Sequence, residues 1–165
     1  MEAATKPIIV GPTDGKLVTL QTVGVRFMIP GDDTDGRFGL VEHPIAPRAL
    51  AGPMHVHEHE DEYSFVLQGA VGFQVGDDVF TAGPGQLVAK PRGIWHGFWN
   101  AGDEPARVLE LISPGGFENY FVELAPLLQP ERDFEGMARI QAKYGLEMDF
   151  TSIERLSREH GLGSP

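Results

Sequence analysis

From Leu17 to Ile112 the chain is a succession of short apolar-rich segments separated by turns, and this punctuation limits the fold more than any other feature. LVTLQTVGVRFMI (17–29) is rich in β-branched residues and reads as one strand that stops at Pro30-Gly31. The turn DDTDG (32–36) leads to RFGLVEH (37–43), which alternates again. AVGFQV (70–75) and VFTA (79–82) follow, then QLVAK (86–90) after Gly83-Pro84-Gly85. IWHGFW (94–99), a turn at Asn100, and ARVLELI (106–112) complete the series. Strands this short at this spacing predict a sandwich or a barrel, and the 21 glycines and 13 prolines scattered along the chain supply its turns.

The pattern changes after Ser113-Pro-Gly-Gly. Phe117, Tyr120, Phe121 and Leu124 recur at helical spacing. Beyond Pro126 a second helical face carries Phe134, Met137, Ile140 and Tyr144, with Gly145 as its stop. Thr151 and Glu154 have the spacing of a capping box opening a last helix that ends near Gly161. The chain is expected to be one all-β domain, with barrel and N-terminal strands over 1–125. A helical extension over 126–165 would pack on the barrel or on a partner subunit.

Charge and composition exclude several functions. A net charge of −11 repels a nucleic-acid backbone over most of the surface. No apolar run approaches the ~20 residues of a membrane span, and no basic amphipathic stretch suggests surface binding. With no cysteine, any metal must be held by nitrogen and oxygen. A cytoplasmic location is the expectation.

The chemistry concentrates in HVHEHEDEYSFVLQG (55–69) and GQLVAKPRGIWHGFWN (85–100). His55 and His57, two apart in a strand, can face one point. Glu62 has the opposite parity and needs a turn or bulge to join them. Glycine and proline in the second stretch could aim His96 inward from a neighbouring strand. His55, His57, Glu62 and Gly69, with Gly85, Pro91, Gly93, His96 and Asn100, resemble the two-motif signature of the cupin superfamily. One departure is Ala49, where that signature has its leading glycine. The resemblance implies a single-domain double-stranded β-helix, or jelly-roll, barrel with a short helical tail. It also implies one divalent metal per chain, Fe, Ni, Mn, Co, Cu or Zn, on His55, His57, Glu62 and His96. Shifting the pair to His57 and His59 would require a glutamate where Tyr63 and Ser64 stand, so His59 reads as a solvated rim residue. Glu58, Glu60 and Asp61 read as a solvated loop, Asn100 as a turn residue, and His160 as a complement to a helix C-terminus.

Parity extends the reading to a pocket. With His96 inward, Phe98 follows it, and Trp95 and Trp99 face away, where they could form a homodimer interface. With Glu62 inward, Ser64, Val66 and Gln68 follow. His43, one strand earlier, fits a pocket wall and a surface position equally well. Phe98, Ser64, Val66 and His43 are the pocket candidates, an environment with few fixed charges that suits an aromatic or apolar small molecule.

The chain is further similar to single-domain bacterial proteins of the quercetin dioxygenase type. That likeness implies a metal-dependent oxidoreductase using dioxygen on an aromatic or enolisable substrate. In it Glu62 would both ligate and take a proton, with its pKa raised by burial. A non-redox metal-dependent isomerase or decarboxylase, and a non-catalytic small-molecule-binding cupin, are the alternatives.

Overall fold

The computed structural model describes residues 7–163. Its strands, in chain order, are β1 (Leu17–Leu20), β2 (Val23–Ile29), β3 (Gly39–Ile45), β4 (Ala49–His57), β5 (Asp61–Gln68), β6 (Val71–Val75), β7 (Asp78–Ala82), β8 (Leu87–Lys90), β9 (His96–Asn100), β10 (Ala106–Ser113) and β11 (Leu146–Met148). The helices are α1 (Asn119–Leu124), α2 (Phe134–Tyr144) and α3 (Ser152–His160). One sheet has the order β1-β2-β3-β10-β5-β8 and the other β11-β4-β9-β6-β7, all pairs antiparallel. The inner faces meet in a core of Ile45, Val66 and Val108 from the first sheet against Val71, Phe73 and Phe98 from the second. This is the expected jelly-roll barrel.

Two local expectations change. Residues 17–29 are not one strand but the hairpin of β1 and β2, with Leu20 opposite Val23 and Gln21 in the left-handed region at φ 57°. Apolar periodicity persists on both arms, so the turn leaves no break in the pattern. The tail also contributes a strand: β11 pairs with β4, placing Leu146 opposite His57 and Met148 opposite His55. β4 is thereby held between β11 and β9 rather than left as an edge.

A second cluster joins the open end of the barrel to the tail, packing Val25, Val41 and Ile112 against Phe117, Tyr120, Leu124 and Met137. Asp133 caps α2 by accepting from the Gly136 N–H at 2.8 Å, and Gly145 ends it at φ 61°. The Thr151 capping box does not form. Asp149 instead accepts from both the Thr151 hydroxyl (2.6 Å) and its N–H (2.9 Å), starting the turn two residues earlier. α3 lies over the outer face of β4 and β9, where Leu156 packs on Met54 and Trp99. His160 stacks on the Trp99 ring at 4.1 Å, which leaves Trp99 only 2% exposed. The face expected to carry Trp99 to a partner subunit is therefore covered by the chain's own last helix. Among the described residues no helix is long and apolar enough to cross a membrane.

Candidate metal centre

The site begins with irregularity in β4. Its pairing with β9 puts Gly52 opposite Phe98 and His55 opposite His96, with register shifts on either side of Gly52. Three steps along β4 match two along β9, so His55 takes the inward phase that regular pleating would give Met54. His57 follows two residues on. The Glu58–Glu60 turn then reverses the chain and reseats Glu62 inward on β5, which answers its odd offset. Gly69 and Gly93 of the motifs sit at φ 78° and 74°, a conformation glycine adopts at no steric cost.

The four side chains converge. Ligand atoms of His55, His57, Glu62 and His96 all lie within 4.8 Å of one another, and all four residues are buried. Two of the imidazoles, those of His55 and His96, are held from behind by backbone carbonyls. His55 Nδ1 faces the Pro53 carbonyl at 2.7 Å and His96 Nδ1 the Ile94 carbonyl at 3.0 Å. As a donor to its carbonyl, His55 presents a bare Nε2 to the centre, while His96 Nε2 lies 3.0 Å from Glu62 Oε2, a contact that a bound cation would replace. His57 Nδ1 lies 3.4 Å from Glu60 Oε2. Glu60, read as solvated, is thus buried beneath a ligand because the turn folds it back under β4. Glu58 stays exposed, as does His59, whose side chain is 58% accessible. Asp61 pairs with Arg92 at 2.8 Å.

These residues fit a divalent ion. His57 Nε2 is sealed from solvent with no hydrogen-bond partner, an arrangement that costs free energy unless something binds there. Burial, then the neighbouring histidines, lower the His55 pKa well below its usual value, and burial also lowers that of His96. Neutral imidazoles with one carboxylate make a nitrogen–oxygen donor set suited to a divalent transition ion.

The carboxylate ligand has an environment the sequence reading did not contain. Pairing places Lys90 of β8 opposite Glu62, and Glu110 of β10 opposite Ser64. Lys90 Nζ lies 2.9 Å from Glu62 Oε2 and 2.9 Å from Glu110 Oε1, and the Ser64 hydroxyl donates to Glu110 Oε2 at 2.7 Å. Burial alone would raise the Glu62 carboxyl, but Lys90, then His57 and His96, outweigh it and hold the pKa well below the carboxylate range. Glu62 therefore does not have the raised pKa expected of it. Burial raises Glu110 to about 7 against the opposing effect of Lys90. The expected scarcity of fixed charge at the centre gives way to a buried carboxylate–lysine–carboxylate row.

Beside the centre opens a cavity of about 210 Å³. Its walls come from the barrel (Val25, His43, Phe98) and from the tail (Phe117, Phe121, Met137). His43 and Phe98 line it, and His43 is buried rather than at the surface. Ser64 and Val66 point inward but lie outside the lining: the Ser64 hydroxyl is engaged by Glu110, and Val66 belongs to the barrel core. Gln68, expected to follow them, is exposed at the strand end. Asn100 caps its turn, donating to the Ala46 and Glu104 carbonyls and accepting from the Gly102 N–H. Lys90 and Glu110 could have been found by alternation, since Lys90 shares its face with Val88, and Glu110 shares its own with Val108 and Ile112.

A two-sheet jelly roll with a buried three-histidine, one-glutamate cluster defines the class of protein. Residues 42–112 match the family described as the Cupin domain. The chain is 38% identical over 74 residues to germin-like protein 1 of Brassica napus, a match covering 42% of this chain and about a third (35%) of that protein's length. Among solved structures it resembles the polyketide cyclase RemF from Streptomyces resistomycificus, at 30% identity and a TM-score of 0.55 over 64% of this chain and 78% of that one. KdgF from Halomonas sp. shares the fold, with a TM-score of 0.60 at 18% identity over 67% of this chain and 96% of that one. The chain carries a cupin domain over residues 42–112 and has the cupin jelly-roll fold.

Proposed function

We propose that this chain is a metal-dependent enzyme acting on an aromatic or enolisable carbonyl compound, with the ion as Lewis acid. The observation that carries the reading is the cavity: aromatic and aliphatic side chains form its walls, and its one buried cation, Lys90, is held between two carboxylates. A phosphorylated sugar would need free Arg or Lys there. Arg132, the guanidinium in the cavity lining, is solvent-exposed and offers no buried counter-charge, while Arg48 and Arg92 are paired with Asp103 and Asp61 and Arg37 is engaged with the Thr34 carbonyl. The likeness to a polyketide cyclase supports the same substrate class, since a polyketide is an enolisable, ring-forming chain.

His55, His57, His96 and Glu62 would hold the ion, which when bound would polarise substrate oxygens. The chain's own groups do the rest. Lys90 keeps Glu62 ionised, which supports it as a ligand rather than a base. Phe98, Phe117 and Phe121 exclude water and offer ring faces to a flat substrate. The second reading is the dioxygenase of the quercetin dioxygenase type, favoured by a four-donor set that would leave room on a bound ion for further ligands.

The test is incubation of the Zn²⁺- or Mn²⁺-loaded chain with aryl 1,3-diketones and hydroxynaphthoquinones, with and without air, followed by mass analysis. Anaerobic conversion that disappears in His96→Ala is the expected result. Conversion only in air would move the assignment to the dioxygenase. Recovery of every compound unchanged under both conditions would leave a binding protein.

A further inference from the structure

His43 is the buried polar group of the cavity that the metal centre does not use. It projects from β3, is 4% exposed, and packs its ring against Phe98 at 5.8 Å and Phe121 at 5.6 Å. Its Nδ1 lies 3.0 Å from the Gly24 carbonyl. A carbonyl only accepts, so Nδ1 carries the proton and Nε2 keeps its lone pair. Among the described residues Nε2 has no hydrogen-bond partner. It is also absent from the unpartnered atoms sealed from solvent, so in a residue lining the cavity it opens onto that space.

The other buried polar side chains around the cavity are engaged. Lys90 stands in ion-pair contact with Glu62 and Glu110, each at 2.9 Å, the Tyr120 hydroxyl donates to Met148 Sδ at 3.6 Å, and His55 belongs to the metal centre. That leaves His43 Nε2 as a fixed acceptor in the aromatic part of the cavity wall, beside Phe98 and Phe121. We infer that His43 is a specificity-determining residue whose Nε2 accepts a hydrogen bond from a hydroxyl of the substrate, selecting phenols and enols over ethers and plain hydrocarbons of the same shape. This rests on the proposed aromatic or enolisable substrate and narrows it to a hydroxyl-bearing one.

The ring works as an acceptor and not as a base. Burial pushes its pKa down to about 4, with Lys90 adding to that and Gly24, Glu62 and Glu42 opposing it. A phenol releases its proton near pH ~10, so transfer to this nitrogen is uphill by roughly six pH units. The hydrogen bond forms and the proton stays on oxygen. Size agrees, because an apolar cavity of ~150 Å³ accepts benzene and this one is larger.

The experiment compares 2-naphthol with 2-methoxynaphthalene by fluorescence titration of the chelator-treated full chain, so that no metal–oxygen bond contributes. The wild type is expected to bind the naphthol about tenfold more tightly, the ratio worth one hydrogen bond to a buried acceptor. The ratio should fall to near one in His43→Phe and be partly retained in His43→Gln, whose carbonyl can accept. Equal affinities in the wild type overturn the inference without reference to any variant's folding. So does a preference that survives in His43→Phe, or no binding of either compound. Lack of turnover by the metal-loaded chain bears on the proposed enzyme reaction alone and leaves this comparison intact.

Discussion

Lys90→Met should damage the metal-free protein far more than a single surface ion pair would. Lys90 is 1% exposed and stands between Glu62 and Glu110 at 2.9 Å each. Methionine fills similar space but leaves two carboxyl groups facing each other in the barrel with no counter-charge. Removing one member of a buried ion pair costs about 3–5 kcal/mol, because the remaining charge is neither hydrated nor compensated. For a chain of this length that is a fall in Tm of roughly 6–20 °C. Glu110→Gln should cost less, since Lys90 keeps Glu62 and the amide oxygen can still accept from Ser64. The double variant should recover more than half of the Lys90→Met loss, and urea unfolding with chelator present would measure all three. Metal supplies a second discriminator. The ammonium repels a cation bound at Glu62, so adding Zn²⁺ should stabilise Lys90→Met by more than it stabilises the wild type. A Lys90→Met variant within about 1 kcal/mol of the wild type, a range typical of exposed pairs, would refute the claim that the buried row is held by charge.

Other perturbations probe the surroundings of the centre. Glu60→Gln, which leaves all four ligands in place, should weaken Zn²⁺ binding about 10–100-fold, as loss of a group orienting a ligand histidine does. Competition with a chromophoric chelator measures it, and an unchanged affinity would show that the 3.4 Å approach to His57 is incidental. Glu42 lies against Arg26 and 2.8 Å from Arg107. Burial opposes ionisation there, but the two guanidinium groups prevail and lower its carboxyl below 4.5. Its stabilisation is therefore present above pH 4.5 and is lost as acidification carries the solution through the lower folded value. Glu42→Gln should lower stability at neutral pH by about 3 kcal/mol, since Arg26 is left buried without its partner. It should also flatten the acid limb of the profile, and urea unfolding between pH 3 and pH 7 reads both effects.

The sequence reports the ligands and their phase because both are local. Gly69 and Gly93 mark turns that need positive φ, so the spacing that counts residues from them is a geometric statement. Alternation on β9 turns His96 and Phe98 inward and Trp99 outward, as found. Non-local pairing is what the sequence conceals. LVAK and ARVLELI each carry a charge on an apolar face, which in isolation resembles a strand reaching solvent. The charges become a buried row only because β5 lies between β8 and β10, a neighbourhood that no local pattern encodes. β11 escapes for a different reason: three residues are too few to show a period. The consequence is chemical as well as topological. A glutamate in an apolar pocket should have a raised pKa and act as a base, and that inference is sound for the pocket the local pattern describes. Lys90 arrives from three strands further along the chain and reverses it, so the motif identifies Glu62 as a donor while the sheet order decides what kind of carboxylate it is.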